Sequence, residues 1–168
     1  VERRELAYRL LLEKFAEMDI KLLLGAEILV CNSLEQLPNI DELCIRGTKT
    51  LLLELPFADF QTGYCRSVFN LLSDGYEVVM AHAERYDPSW IEETLEAGAK
   101  LQLNAKALSL FSRKRYMKWL ENGDVVAIGS DIHGADAKAY KRFLSASGFA
   151  SRFDSITDFS DKLLKQSK

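Results

Sequence analysis

Five apolar runs in this 168-residue sequence each lead into side chains that can bind a metal, donate hydrogen bonds or carry charge. Leu22-Leu23-Leu24 runs into Gly25-Ala26-Glu27, and Leu51-Leu52-Leu53 into Glu54. Val78-Val79-Met80 leads to Ala81-His82, Leu101-Gln102-Leu103 to Asn104, and Val125-Val126-Ala127-Ile128 to Asp131 and His133. Carboxylate with imidazole is a ligand set for manganese, iron or zinc that leaves positions open to water. An ion held this way acidifies water and neutralises charge on a phosphoryl oxygen. Each residue taken singly has a plainer reading. A Glu after a strand is most often a helix cap or surface partner, a lone His is usually a satisfied core or surface residue, and Asp-x-His arises often by chance. Their joint placement at the ends of apolar runs favours a metal site.

Arg85 lies three residues past His82 in Ala81-His82-Ala83-Glu84-Arg85-Tyr86. Its guanidinium can grip phosphate oxygens bidentately, a task Lys performs less well; by itself a salt bridge to Glu84 or Asp87 is the preferred reading. Tyr86 can stack on an aromatic substrate, although a buried loop tyrosine is commoner. Cysteine-based phosphate chemistry is excluded, because that chemistry needs an Arg six positions after the Cys. Leu37, Thr50 and Leu71 occupy those positions after Cys31, Cys44 and Cys65. Neither GxxxxGK[ST] nor GxGxxG occurs, so nucleotide-binding loops fall away as well.

The elements that must position these groups alternate. Short Leu/Val-rich runs at Lys21–Leu24, Thr50–Leu53, Glu77–Ala81, Lys100–Leu103 and Val125–Ile128 read as strands buried on both faces of a parallel sheet. Leu6, Leu10 and Phe15 predict an amphipathic helix over Glu2–Met18. Tyr64, Val68, Leu71 and Leu72 predict a second, ended by Asp74-Gly75. Asp87 as N-cap and Pro88 at the first helical position start a third, with Ile91 and Leu95 inward and an end near Gly98. Further helices are expected over Leu108–Glu121, over Ala135–Ser145 and over Ser155–Gln166. This βαβα order is that of an α/β protein, and in barrels of parallel strands functional groups collect at the C-terminal strand ends.

At 48% hydrophobic residues the chain can bury one sizeable core, and no repeat or linker divides it, so residues 1–168 read as a single domain. The net charge of -3, from 25 acidic and 22 basic residues without a basic stripe or tail, gives no electrostatic case for nucleic acid. A phosphorylated partner needs a local positive site instead. Three cysteines without CxxC spacing support neither a disulfide framework nor a zinc knuckle, which fits a reducing cytoplasm. The apolar runs are too short to span a membrane, and the charged start argues against a signal peptide.

The series Gly25-Ala26-Glu27-Ile28, Leu53-Glu54-Leu55-Pro56-Phe57, Ala81-His82-Ala83-Glu84-Arg85-Tyr86, Leu103-Asn104 and Ser130-Asp131-Ile132-His133-Gly134 resembles the polymerase-and-histidinol-phosphatase (PHP) superfamily. The similarity is to its tyrosine phosphatases of capsule and exopolysaccharide synthesis in bacteria, and it covers nearly the whole chain. The resemblance implies a distorted (β/α) barrel of parallel strands and a trinuclear centre, often manganese, that hydrolyses phosphotyrosine in proteins, a bacterial tyrosine kinase being one such substrate. By position, Glu27 resembles a carboxylate bridging two metals, Glu54 and His82 ligands of the second metal, Asp131 a ligand of the first and His133 of the third. Arg85 matches a phosphate-binding arginine, with Tyr86, Asn104 and Lys138 completing the expected substrate contacts.

Two departures accompany the resemblance. The family opens with a strand bearing His-x-His and a second strand ending in His, and nothing before Val1 supplies them, so the barrel is expected to lack its first strands and to hold fewer than three ions. Where the family has an Arg-Pro-Pro stretch after the Asp-x-His strand, Gly134-Ala135-Asp136-Ala137-Lys138 stands, with Lys138 the nearest substitute. The exposed edges such a loss leaves invite a homo-oligomer. Two alternatives stay open: a non-catalytic remnant acting as a binding or regulatory protein, and a small-molecule phosphoesterase of the same superfamily.

Overall fold

The computed structural model describes residues 2–56, 61–132, 134 and 136–166. Five strands, β1 (Glu27–Leu29), β2 (Thr50–Glu54), β3 (Glu77–Met80), β4 (Lys100–Asn104) and β5 (Val125–Gly129), form one sheet in chain order, and every neighbouring pair is parallel. That sequential parallel order is the connectivity of a (β/α) barrel. Among the described residues β1 and β5 are its two edges.

The apolar runs form strands because the sheet is covered. Leu51, Leu53, Met80, Leu101 and Leu103 are fully buried, as parallel strands flanked by helices require. Helices α2 (Thr62–Ser73) and α3 (Pro88–Glu96) fill the crossovers on either side of β3. They deliver Val68, Leu71 and Ile91 into the core. Asp87 caps α3 by accepting from the Ser89 N–H, with Pro88 at the first position, as its sequence predicts.

Three expectations need correction. Helix α1 (Glu2–Lys14) stops short of Met18, and Leu6 and Leu10 are 60% and 57% exposed, so its apolar stripe meets no core. Lys21–Leu24 is not a strand: the Leu22 carbonyl accepts from the Tyr8 hydroxyl and the Leu24 carbonyl from the Arg46 N–H, and the first strand starts at Glu27. Between β1 and β2 two single 3-10 turns, Leu34–Gln36 and Ile40–Leu43, replace a crossover helix, each burying one apolar side chain. The helix expected over Leu108–Glu121 breaks into turns, a 3-10 turn at Arg113–Tyr116 and the five-residue α4 (Met117–Glu121). Its serines explain the break, for the Ser112 hydroxyl donates to the Ala107 carbonyl and pairs with the Ser109 hydroxyl, competing with the helical ladder.

Helix α5 (Ala137–Ala150) outruns its expected end at Ser145, and α6 (Asp154–Gln166) packs against β5, with Ile156 buried and the Ser155 hydroxyl on the Val125 carbonyl. No helix of the described residues is long and apolar enough to cross a membrane.

Candidate metal centre

Strand register brings the predicted groups together. Leu29 pairs with Glu54 and Leu53 with Met80, so the end of β2 lies level with the turn that carries His82. The Ala81 N–H still donates to the Leu53 carbonyl at 2.7 Å, and His82 then turns sharply, in the left-handed region at φ 36° and ψ 48°. Non-glycine residues rarely adopt that conformation, and where they do at a cleft the surrounding bonds must enforce it. Here the His82 N–H donates to the Gln102 side-chain oxygen at 2.6 Å, and the His82 carbonyl accepts from the Arg85 N–H.

The consequence is that the His82 ring, only 2% exposed, points Nε2 at two carboxylates. It lies 2.8 Å from Glu27 Oε1 and 3.4 Å from Glu54 Oε2. The donor atoms of Glu27, Glu54 and His82 all lie within 4.8 Å of one another, the one such trio of His, Cys, Asp or Glu among the described residues. Behind the ring, the buried Tyr86 hydroxyl contacts Nδ1 at 3.1 Å. Burial raises the Tyr86 hydroxyl far above its usual range, helped by the negative field of Glu54. It therefore keeps its proton and can donate to or accept from Nδ1, so either ring tautomer is supported.

The donor set fits a cation. Burial pushes Glu54 above the usual carboxylate range, and the hydrogen bond and negative charge of Glu27 add to that, while His82 opposes it. Burial acts the same way on Glu27, but the hydrogen bonds of His82 and Glu54 and the fields of His82 and Arg85 outweigh it and leave Glu27 low. Two carboxylates thus crowd against each other beside one buried imidazole, the electrostatic need that a divalent ion meets.

Asp131 lies outside this trio. It too is left-handed, at φ 49°, and its carboxylate pairs with the Arg85 guanidinium and accepts from the Asn104 side-chain amide at 3.3 Å. Arg85 therefore finds its partner on β5's far end, not in Glu84 or Asp87: Glu84 accepts from the Asn104 N–H, and Asp87 is occupied as a cap. His133 lies outside the described residues, as does Phe57. Lys138 sits exposed in the first turn of α5. Of the two readings of Tyr86, the structure shows a buried ring with its hydroxyl on His82.

Beside the trio, Arg85, Asn104 and Asp131 open into a pocket of about 750 Å3, whose other walls come from the 105–116 segment and the start of α5. Four contributors escaped the sequence reading. Gln102 is the polar residue inside the apolar run Leu101–Leu103, the signal that could have marked it, and it braces both His82 and Asn104. Gly129 faces it so closely that a Cβ there would stand 2.3 Å from the Gln102 amide nitrogen. Arg142, one helical turn beyond Lys138, lines the pocket that Lys138 does not, as does Lys106.

The chain is thus an α/β protein with a sheet of sequential parallel strands and with two carboxylates and an imidazole gathered at one edge of it, the class of fold that the sequence resemblance implied. It matches, over 98% of this chain and 72% of the other, a chain from the crystal structures of YwqE from Bacillus subtilis and CpsB from Streptococcus pneumoniae, described as unique metal-dependent tyrosine phosphatases; the TM-score is 0.71 and the identity 22%. The family model for capsular polysaccharide synthesis, CpsB/CapC, matches residues 3–155, and the chain belongs to that family. No curated protein matches it significantly.

Proposed function

We propose that this chain is a metal-dependent phosphatase that hydrolyses phosphotyrosine in proteins of capsule or exopolysaccharide regulation, a bacterial tyrosine kinase among them. The observation that carries the reading is the convergence of Glu27, Glu54 and His82 on one point. Membership of the CpsB/CapC family and the fold shared with metal-dependent tyrosine phosphatases support it. A divalent ion, manganese before iron or zinc, supplies Lewis acidity and activates water when bound at these residues.

The chain's own groups do the rest. Glu27 and Glu54 provide negative donors, and His82 adds its Nε2 once the ring places its proton on Nδ1, toward the Tyr86 oxygen. Gln102 fixes the His82 backbone and, through Asn104, steadies Asp131. Arg85 offers its planar fork to the non-bridging phosphate oxygens and stabilises the charge that develops on them. Asp131 holds that fork in place, and we assign Asp131 and His133 a share in further metal binding. Asn104 is assigned to substrate inside the pocket, and Lys138, exposed on the first turn of α5 and outside the pocket wall, to the substrate chain beyond it. Hydrolysis breaks the P–O bond to tyrosine, leaving a phenol and inorganic phosphate. We further propose a single domain over residues 1–168, a cytoplasmic location and a homo-oligomer.

One observation favours a non-catalytic binding role instead: the carboxylate of Asp131 is engaged by Arg85 and does not join the trio. Metal analysis with a manganese-supplemented aryl-phosphate assay separates the two. The phosphatase reading expects a rate that disappears in Glu54→Ala and His82→Ala. No rate above background, unchanged by either substitution, refutes it. Phosphotyrosine peptide turned over faster than small phosphomonoesters assigns the substrate class.

A further inference from the structure

Between Ala105 and Leu120 the chain carries Lys106, Arg113, Lys114, Arg115 and Lys118 and no Asp or Glu, although the whole molecule has a net charge of -3. Whole-chain balance conceals this local cationic block. The same segment holds the two most exposed large apolar side chains of the described residues, Leu110 at 71% and Phe111 at 99%. It is also a wall of the pocket that holds Arg85, through Lys106, Ala107, Ser109, Ser112 and Tyr116.

The acidic groups on the pocket are already committed. Asp131 pairs with Arg85, Glu84 accepts from the Asn104 N–H, and Asp136 accepts from the N–H groups of Lys138 and Ala139 and faces Arg142 at 3.8 Å. Lys106, by contrast, has no ion pair among the described residues, and Lys114 and Arg115 are exposed. The serine bonds that break the helix here hold Leu110 and Phe111 out on a turn, where no core contact accounts for them. An apolar tip flanked by unpaired cations at the mouth of a pocket fits a chain that is acidic and carries an apolar residue.

The geometry points to the 106–115 segment as a docking rim for the polypeptide around the scissile phosphotyrosine, selecting substrates with acidic residues and an apolar side chain next to that tyrosine. This rests on the phosphatase reading above for what the pocket does, and on charge and continuity with the pocket for what the rim binds. An anionic membrane surface would use similar residues, but the rim's share in the pocket wall favours the substrate chain.

The test compares wild type with Phe111→Ser and with Lys114→Glu/Arg115→Glu, positions that touch neither the trio nor Arg85. Three substrates are used: para-nitrophenyl phosphate, a phosphotyrosine peptide flanked by Glu and Leu, and the same peptide with Gln and Ser. Binding of both labelled peptides is followed in parallel by fluorescence anisotropy, and vesicles of phosphatidylglycerol serve as the membrane control. Both variants are expected to lose about tenfold in affinity and kcat/KM for the acidic peptide, with a salt-dependent wild-type preference for it. Turnover of para-nitrophenyl phosphate stays within about twofold, as it uses no rim contact. Normal turnover with no preference between the peptides overturns the docking rim and leaves the phosphatase standing. Selective acidic-peptide binding without turnover supports the rim and removes the phosphatase. Vesicle binding that the substitutions abolish, with peptide affinity unchanged, assigns the segment to a membrane and also overturns the proposal.

Discussion

The buried Tyr86 hydroxyl contacts Nδ1 of the buried His82 ring, and its removal isolates a residue's worth of positioning. Tyr86→Phe leaves His82 Nδ1 without this partner, and an orphaned buried polar group costs about 1–3 kcal/mol. Partners of this kind change metal affinity by about 10–100-fold. Titration calorimetry with manganese is expected to show a loss of that size while the fold, followed by circular dichroism, persists; unchanged affinity would remove Tyr86 from the site. The sequence made Glu27, Glu54 and His82 legible because each ends or borders an apolar run. It left Tyr86 ambiguous, since a loop tyrosine beside a candidate ligand can face either way, and only burial decides. Gln102 was hidden for the opposite reason, lying inside a run that reads as core.

Among the elements, α5 depends on a cap whose titration can be followed. Hydrogen bonds from the Ala139 and Lys138 N–H groups lower the Asp136 carboxyl below its usual value, with Arg142 contributing. A carboxyl lowered on folding adds stability above its unfolded pKa of about 3.9, and loses it as pH falls through the folded value. Asp136→Ala is therefore expected to lower thermal stability at neutral pH and to flatten its decline in acid below about pH 4. Equal loss at every pH would contradict the cap. Strands β2 to β5 were read within a residue or two from apolarity alone, because fully buried strands tolerate few polar side chains. The segment 108–121 was misread as one helix, as its apolar spacing is helical and the deciding contacts are hydroxyl to carbonyl bonds from Ser109 and Ser112. The run Lys21–Leu24 misled in the same way, since apolarity marks burial and not a ladder partner.

Across the whole molecule the sheet is both core and platform. Leu101, fully buried in β4, pairs with Met80 on one side and Val125 on the other. Leu101→Ala is expected to cost about 2–5 kcal/mol in urea unfolding, and a loss under about 1 kcal/mol would show that β4 is not central to the core. Parallel register sets Glu27, the first residue of the short strand β1, opposite Leu52, beside the C-terminal ends of β2 and β3, and so brings residues 27, 54 and 82 within one coordination sphere's reach. The parallel order followed from the strand and helix alternation, whereas the pocket walls at 105–116 and Arg142 depended on where irregular segments fold back. Titration of manganese and zinc into the metal-free protein, followed by calorimetry in wild type, Glu54→Ala and His82→Ala, tests the central claim most directly. The account predicts saturable binding in the wild type that either substitution abolishes or weakens by at least about 100-fold. Binding absent from the wild type, or retained undiminished in both variants, would contradict it.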